Sequence, residues 1–229
     1  MGRATELVDD MTGWQAPAPA GKRGAVALRG TSWTHLLARQ MVRPLLGTRV
    51  RPNHLTTLRL ISGLAACLCF ALGTTSGMIW GGVLWLVSAL LDRADGELAR
   101  IGKMISPGGD LYDFYADNVV NPAFFVAIGF GLRQSWFGAW SIALGLLSGV
   151  CLLLCGLLSK WLEQRGPPGA RAYAGKWGFD PEDALYLMAP CAWLGWLNPI
   201  LLGASIATPV FTVVLGVRLF RLRRAQVLA

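Results

Sequence analysis

Residues 91–118 read LDRADGELARIGKMISPGGDLYDFYADN, and the spacing of their acids decides the fold. Asp92 and Asp95 are three positions apart, and Asp113 and Asp117 are four apart. Side chains at those separations share one face of a helix. Between the pairs lies Ser106-Pro107-Gly108-Gly109, a cluster of turn formers. The spacing predicts two antiparallel helices that bring the Asp pairs face to face. No charged residue occurs from Leu60 to Leu91 or from Asn118 to Leu132. Acids beside such apolar stretches lie where charge is costly, and they mark a functional site. Capping of helix ends accounts for one or two of them, not for two facing pairs. Four ionised carboxylates on facing helices repel, so some are protonated or cations sit between them. The chain offers no run of Lys or Arg to neutralise all four. Hard divalent cations take oxygen ligands, and two of them stabilise in-line displacement at phosphorus.

Composition carries the reading outward. Of 229 residues 54% are hydrophobic, only 15% are charged, and the mean hydropathy is +0.47. Soluble domains carry about 25% charged residues. A disordered chain is excluded, and an ordinary soluble domain lacks a core large enough for so much apolar surface. The net charge is nevertheless +8. A nucleic-acid partner is not expected, because its binder needs those bases on a soluble face.

A crossing helix needs about 20 apolar residues. The charge-free stretches Leu60–Leu91 and Ala184–Val217 are each long enough for two, with breaks at Gly73–Gly77 and Gly195–Pro199. The sequence predicts an all-α membrane protein with six transmembrane helices, near 57–74, 78–99, 109–131, 136–158, 183–197 and 199–218. The fifth is short and holds Pro190. An interfacial amphipathic helix precedes them over 32–46, with Trp33, Leu36, Leu37, Met41, Leu45 and Leu46 near helical spacing, Ser32 as its cap and Pro44 at its end. Residues 1–31 read as a flexible cytoplasmic N-terminus without the apolar core of a signal peptide, and 32–229 as a single membrane domain.

Twenty of the 21 Lys and Arg fall in residues 1–59, 92–109, 159–182 and 218–229, and only Arg133 falls elsewhere. Such bias sets orientation, so both termini and the acidic cluster are expected on the cytoplasmic side of a multi-pass integral membrane protein. The five cysteines, Cys67, Cys69, Cys151, Cys155 and Cys191, all fall inside these spans and read as small packing residues. Gly96, Ala99 and Gly109 leave room for a base or ribose to approach the backbone. They equally suit close helix packing.

The segment resembles the signature of the CDP-alcohol phosphotransferase family, DxxDGxxARx(8)GxxxDxxxD. All eight fixed positions match at full spacing, on Asp92, Asp95, Gly96, Ala99, Arg100, Gly109, Asp113 and Asp117. Pro52, Asn53, Thr56 and Arg59 resemble the PNxxTxxR stretch common in that family. Read without the family, the same stretch is a helix start with Asn53 as cap and Arg59 as a cytoplasmic anchor.

The resemblance implies cleavage of a CDP-linked donor at its pyrophosphate, release of CMP and capture of the remainder by an alcohol acceptor. It implies two divalent cations, Mg²⁺ or Mn²⁺, held by Asp92, Asp95, Asp113 and Asp117. It makes Asp117 the base for the acceptor hydroxyl and suggests a homodimer. Gly96, Ala99, Arg100 and Gly109 become nucleotide-binding candidates, together with Asn53 and Thr56. The acceptor site is not legible: Lys103 is a candidate, with Arg171 and Lys176 in the loop 159–182, but each equally satisfies the positive-inside rule. The leading expectation is transfer of a phosphatidyl group from CDP-diacylglycerol to a small polar alcohol. CDP-choline or CDP-ethanolamine with a diacylglycerol-like acceptor is the alternative. A divalent cation transporter is more distant, because such sites lie near the membrane midplane.

Overall fold

The structure, a computed structural model, describes residues 33–165 and 183–228. Residues 1–31, the expected Ser32 cap, Arg171 and Lys176 lie outside the described residues. Every described element is helical: α1 (Trp33–Val42), a 3₁₀ turn (Arg43–Leu45), α2 (Pro52–Leu72), α3 (Thr75–Ile101), α4 (Pro107–Gly131), α5 (Trp140–Arg165), α6 (Ala184–Trp193) and α7 (Leu197–Leu228).

Local chemistry sets the boundaries near the acids. Arg51 is extended and Pro52 occupies the first turn of α2, where a missing N–H costs nothing. The helix therefore starts five residues before the expected span, and Asn53 lies inside its first turn rather than capping it. Gly73, at φ 69°, ends α2 in the left-handed conformation. Thr74 then caps α3, its hydroxyl accepting from the Gly77 N–H at 3.0 Å. Ser106 caps α4 in the same way, accepting from the Gly109 N–H at 3.1 Å.

Among the described residues four helices, α2, α3, α5 and α7, are long and apolar enough to cross a membrane. α4 has 25 residues, with Asp110, Asp113 and Asp117 in its first half. The expected span 183–197 appears as the 10-residue α6. At 1.5 Å per residue it reaches about 15 Å, half of a hydrocarbon core of about 30 Å. The fourth expected span starts later, because residues 132–139 form turns, with Gly138 at φ 55°.

α2 packs against α3 and α4, α4 against α5, α5 against α7, and α6 against α3. Phe124 of α4 anchors the centre, with ring centroids 5.4 Å from Phe70 and 4.3 Å from Trp85. Close approach of α2 depends on Gly63: a Cβ there would lie 2.6 Å from Val120 Cγ1 and 2.8 Å from Ser88 Oγ. That contact lies one turn along α2 from Arg59 and pulls α2, α3 and α4 together beneath the acids. α6 is tied to α3 by Trp85 Nε1 donating to Leu185 O at 2.9 Å and by Tyr186 OH donating to Ala89 O at 2.8 Å.

α1 is amphipathic with an inversion. Leu36, Leu37 and Met41 are exposed, whereas Thr34, His35, Ala38 and Val42 are buried. Its apolar side thus faces outward, as a helix lying in a lipid interface requires, and its inner side carries polar groups toward α3. Pro44 falls in the 3₁₀ turn that ends it.

Candidate active site

The end of α3 and the start of α4 hold the four acids. Carboxylate oxygens of Asp92, Asp95 and Asp113 lie within 4.8 Å of one another. Asp92 and Asp95 are largely enclosed, and the side chains of Asp113 and Asp117 are 41% and 40% exposed. Asp117 sits beside this trio rather than within it, and Asn121 Nδ2, one turn on, donates to its Oδ1 at 3.2 Å.

α2 contributes the residues that organise the acids. Thr56 Oγ1 donates to Asp95 Oδ2 at 2.6 Å, both residues being buried. One turn further, Arg59 is only 2% exposed. Its NH1 is 3.0 Å from Asp92 Oδ1 and 3.0 Å from Asp113 Oδ1, and its NH2 donates to Asp117 Oδ1. Arg59 therefore does more than anchor a helix end: it is buried and paired with three acids. A cation does stand among the acids, supplied from 33 residues upstream of Asp92 instead of by a local basic run. The PNxxTxxR spacing carried the signal, since it sets Thr56 and Arg59 one turn apart on a single face.

A cavity of about 170 Å³ opens at the acids, lined by His35, Asp92, Arg93, Asp95, Gly96, Arg100, Asp113 and Asp117. A Cβ on Gly96 would meet nothing within 4 Å, so this glycine keeps the wall open. One on Gly109 would lie 3.3 Å from Asn53 Oδ1, which puts these two candidates side by side at the α2–α4 edge. Ala99 and Lys103 do not line the cavity. Lys103 is exposed in the turn between α3 and α4, at φ 54°, because it lies beyond the last turn of α3.

A second polar cluster, not legible in the sequence, adjoins the cavity and shares His35, Arg93 and Arg100 with its lining. Glu97, 1% exposed, accepts from Arg39 Nε at 2.7 Å and Arg100 NH1 at 2.8 Å, and pairs with His35 Nδ1 at 2.8 Å. Arg93 NH1 meets His35 Nε2 at 3.0 Å, and its NH2 donates to Asp183 Oδ1 at 3.1 Å. Thr34 Oγ1 donates to the same Asp183 oxygen at 2.7 Å. These bonds fasten α1 and the start of α6 to α3. Arg100, a nucleotide-binding candidate, lines the cavity while bonded to Glu97.

The Thr56 hydroxyl is testable by itself. Thr56→Ala takes a donor from a buried carboxylate, a loss of about 1–3 kcal/mol. A lower melting temperature in detergent and reduced activity are expected, with both restored by Thr56→Ser. A Thr56→Ala protein that melts and turns over like wild type would show that the bond contributes nothing.

The donor set is chemically coherent for a divalent cation. It is all carboxylate oxygen, convergent, partly enclosed and open to a cavity on one side, as Mg²⁺ or Mn²⁺ sites that share substrate phosphates require. A family model described as CDP-alcohol phosphatidyltransferase matches residues 49–221. Over 103 residues, 44% of the chain, the sequence is 32% identical to the bifunctional IPC transferase and DIPP synthase of Aquifex aeolicus (strain VF5). The match spans 23% of that relative's length. In fold the chain is similar to the Mycobacterium tuberculosis phosphatidylinositol phosphate synthase, whose crystal structure has CDP-DAG bound. The TM-score is 0.55 at 19% identity, covering 79% of this chain and 90% of that one.

Proposed function

The chain belongs to the CDP-alcohol phosphatidyltransferase family, and from that premise we propose that it moves a phosphatidyl group from CDP-diacylglycerol to a small polar alcohol, releasing CMP. The observation that carries the reading is the convergence of Asp92, Asp95 and Asp113 oxygens at the mouth of a cavity walled by Gly96. The fold it shares with a synthase crystallised with CDP-DAG bound supports the choice of donor.

In this reading Asp92, Asp95 and Asp113 hold divalent cations, with Asp117 completing a two-cation site. When bound, the cations neutralise charge developing on the donor's pyrophosphate. The acceptor oxygen bonds to the phosphorus that carries the diacylglycerol, the bond from that phosphorus to the CMP oxygen breaks, and the electron pair leaves with CMP. Asp117, which the family resemblance marks as the base and whose side chain is 40% exposed, takes the acceptor proton. Gly96 admits the nucleotide to the α3 backbone. Gly109 with Asn53 forms the opposite edge, and Arg100 meets a phosphate. Thr56 acts through Asp95, which it orients, rather than by contacting the nucleotide.

The reading includes six crossings, α4 being the third and α6 with its turn the fifth. It places both termini and the acids on the cytoplasmic side, treats residues 32–229 as one domain, and has two copies forming a homodimer. The deciding experiment is a donor-by-acceptor matrix with purified protein and Mn²⁺, with the lipid product identified by mass spectrometry. CMP release from CDP-diacylglycerol, dependent on a small alcohol, is the expected result. Release from CDP-choline or CDP-ethanolamine with diacylglycerol, and none from CDP-diacylglycerol, would overturn the donor assignment while leaving the chemistry in place.

A further inference from the structure

Arg59 gives the acidic site a cation that cannot diffuse away. Its guanidinium is enclosed between α2, α3 and α4, and its own carbonyl accepts from Ser88 Oγ at 3.0 Å and Ser62 Oγ at 3.1 Å. The turn that carries it is therefore held, and Gly63 keeps α2 pressed against α3 and α4 at that level. Two of the three acids whose oxygens converge, Asp92 and Asp113, are also partners of Arg59, as is Asp117.

An N–H donor and a metal ion make opposed demands on the same carboxylate. Each draws on the oxygen lone pairs, and a fixed positive charge within a few ångströms repels an incoming one. A planar guanidinium reaching three carboxylates is suited to this, because it spreads one charge over a fork of donors.

We propose that Arg59 is a tethered competitor for the divalent cations. It holds Asp92, Asp113 and Asp117 together against their mutual repulsion and limits how tightly the site binds Mg²⁺ or Mn²⁺. The inference rests on reading the carboxylates as cation ligands. Its consequence is a site whose cation affinity is weak until a substrate pyrophosphate adds negative charge and further oxygens. Cation binding is thereby coupled to donor binding, and release of the cation to departure of CMP. Arg59 is thus a positioning residue, acting through the acids.

The test is Mn²⁺ titration of the full chain in detergent without donor, followed by electron paramagnetic resonance of the free ion, with melting temperature recorded alongside. Arg59→Gln is expected to bind Mn²⁺ about tenfold more tightly than wild type, to melt lower in chelator, and to gain more from added Mn²⁺. A purely structural ion pair would lower the melting temperature by the same amount with and without Mn²⁺ and leave affinity unchanged; that result, or weaker binding, overturns the proposal. Should Arg59→Gln not fold under either condition, Arg59→Lys decides. Its compact ammonium cannot engage three carboxylates as a fork does, so Mn²⁺ affinity rises about threefold if Arg59 competes, and equal or weaker binding overturns it. Wild-type protein that binds Mn²⁺ no better than Asp92→Ala overturns this inference and the cation reading together. If wild type and Asp92→Ala differ while the Arg59 variants match wild type, only the role of Arg59 falls.

Discussion

Asp117→Asn is expected to lose about 10³-fold or more in turnover while the protein stays folded. A positioned general base contributes roughly 10²–10⁴-fold, and asparagine cannot accept the acceptor's proton. It does keep the shape and one carbonyl oxygen of aspartate. Arg59 NH2 and Asn121 Nδ2, which donate to Asp117 Oδ1, retain an acceptor, and the 40% exposure of the side chain means that no new buried polar group is created. Melting temperature should therefore shift little. Assays at saturating Mn²⁺ separate loss of the base from loss of a ligand: a base defect persists there, and a ligand defect recovers. CMP release at the wild-type rate under those conditions would remove Asp117 from the role of base.

The acids were legible in the sequence because charge is rare in so apolar a chain, and helical spacing at 92–95 and 113–117 fixes which face each pair occupies. Helix ends were legible where a turn declares itself, as at Gly73, whereas the Ser106 cap starts α4 two residues before the expected span. Arg59 was marked only by the PNxxTxxR stretch, which left its partners unnamed, and Glu97 was not marked at all. Both lie in stretches where the positive-inside rule or an ordinary helix surface accounts for a charge equally well. What distinguishes them is enclosure by other helices, 33 and 62 residues away in the chain for Asp92 and His35 respectively. The polar inner face of α1 was hidden for the same reason. Leucines at helical spacing announce an amphipathic helix, but whether they meet lipid or protein depends on Glu97 drawing His35 and Arg39 inward. Asn53 was misjudged as a cap because Pro52 can itself open a helix.

Glu97 lies within the matched signature, at a position the pattern leaves open, between Gly96 and Ala99. Its three basic partners connect the cavity wall to a helix whose outer face is apolar. The cavity and α1, with its exposed Leu36, Leu37 and Met41, are therefore tied together through Glu97. For the transfer proposed above, that adjacency would bring a water-soluble nucleotide and acyl chains to neighbouring surfaces.

Asp92→Ala should separate function from stability in the opposite sense to a core mutation. Weakening a partner of a metal ligand commonly costs 10–100-fold in affinity, so removing one of the three converging oxygens is expected to cost about 100-fold or more in Mn²⁺ binding and to abolish transfer. Arg59 keeps Asp113 and Asp117 as partners, so its charge is not left uncompensated, which is the circumstance that makes breaking a buried pair expensive. One acid fewer also relieves repulsion among the four. In chelator, then, the Asp92→Ala protein should melt at or above the wild-type temperature, and added Mn²⁺ should raise that temperature less than it does for wild type. This pattern is expected where acids are retained for their chemistry at the expense of stability. Mn²⁺ affinity equal to wild type would contradict the assignment of Asp92 as a ligand. A large fall of melting temperature in chelator would show that its principal work is to pair with Arg59, and the Arg59–Asp92 contact would then be structural rather than competitive.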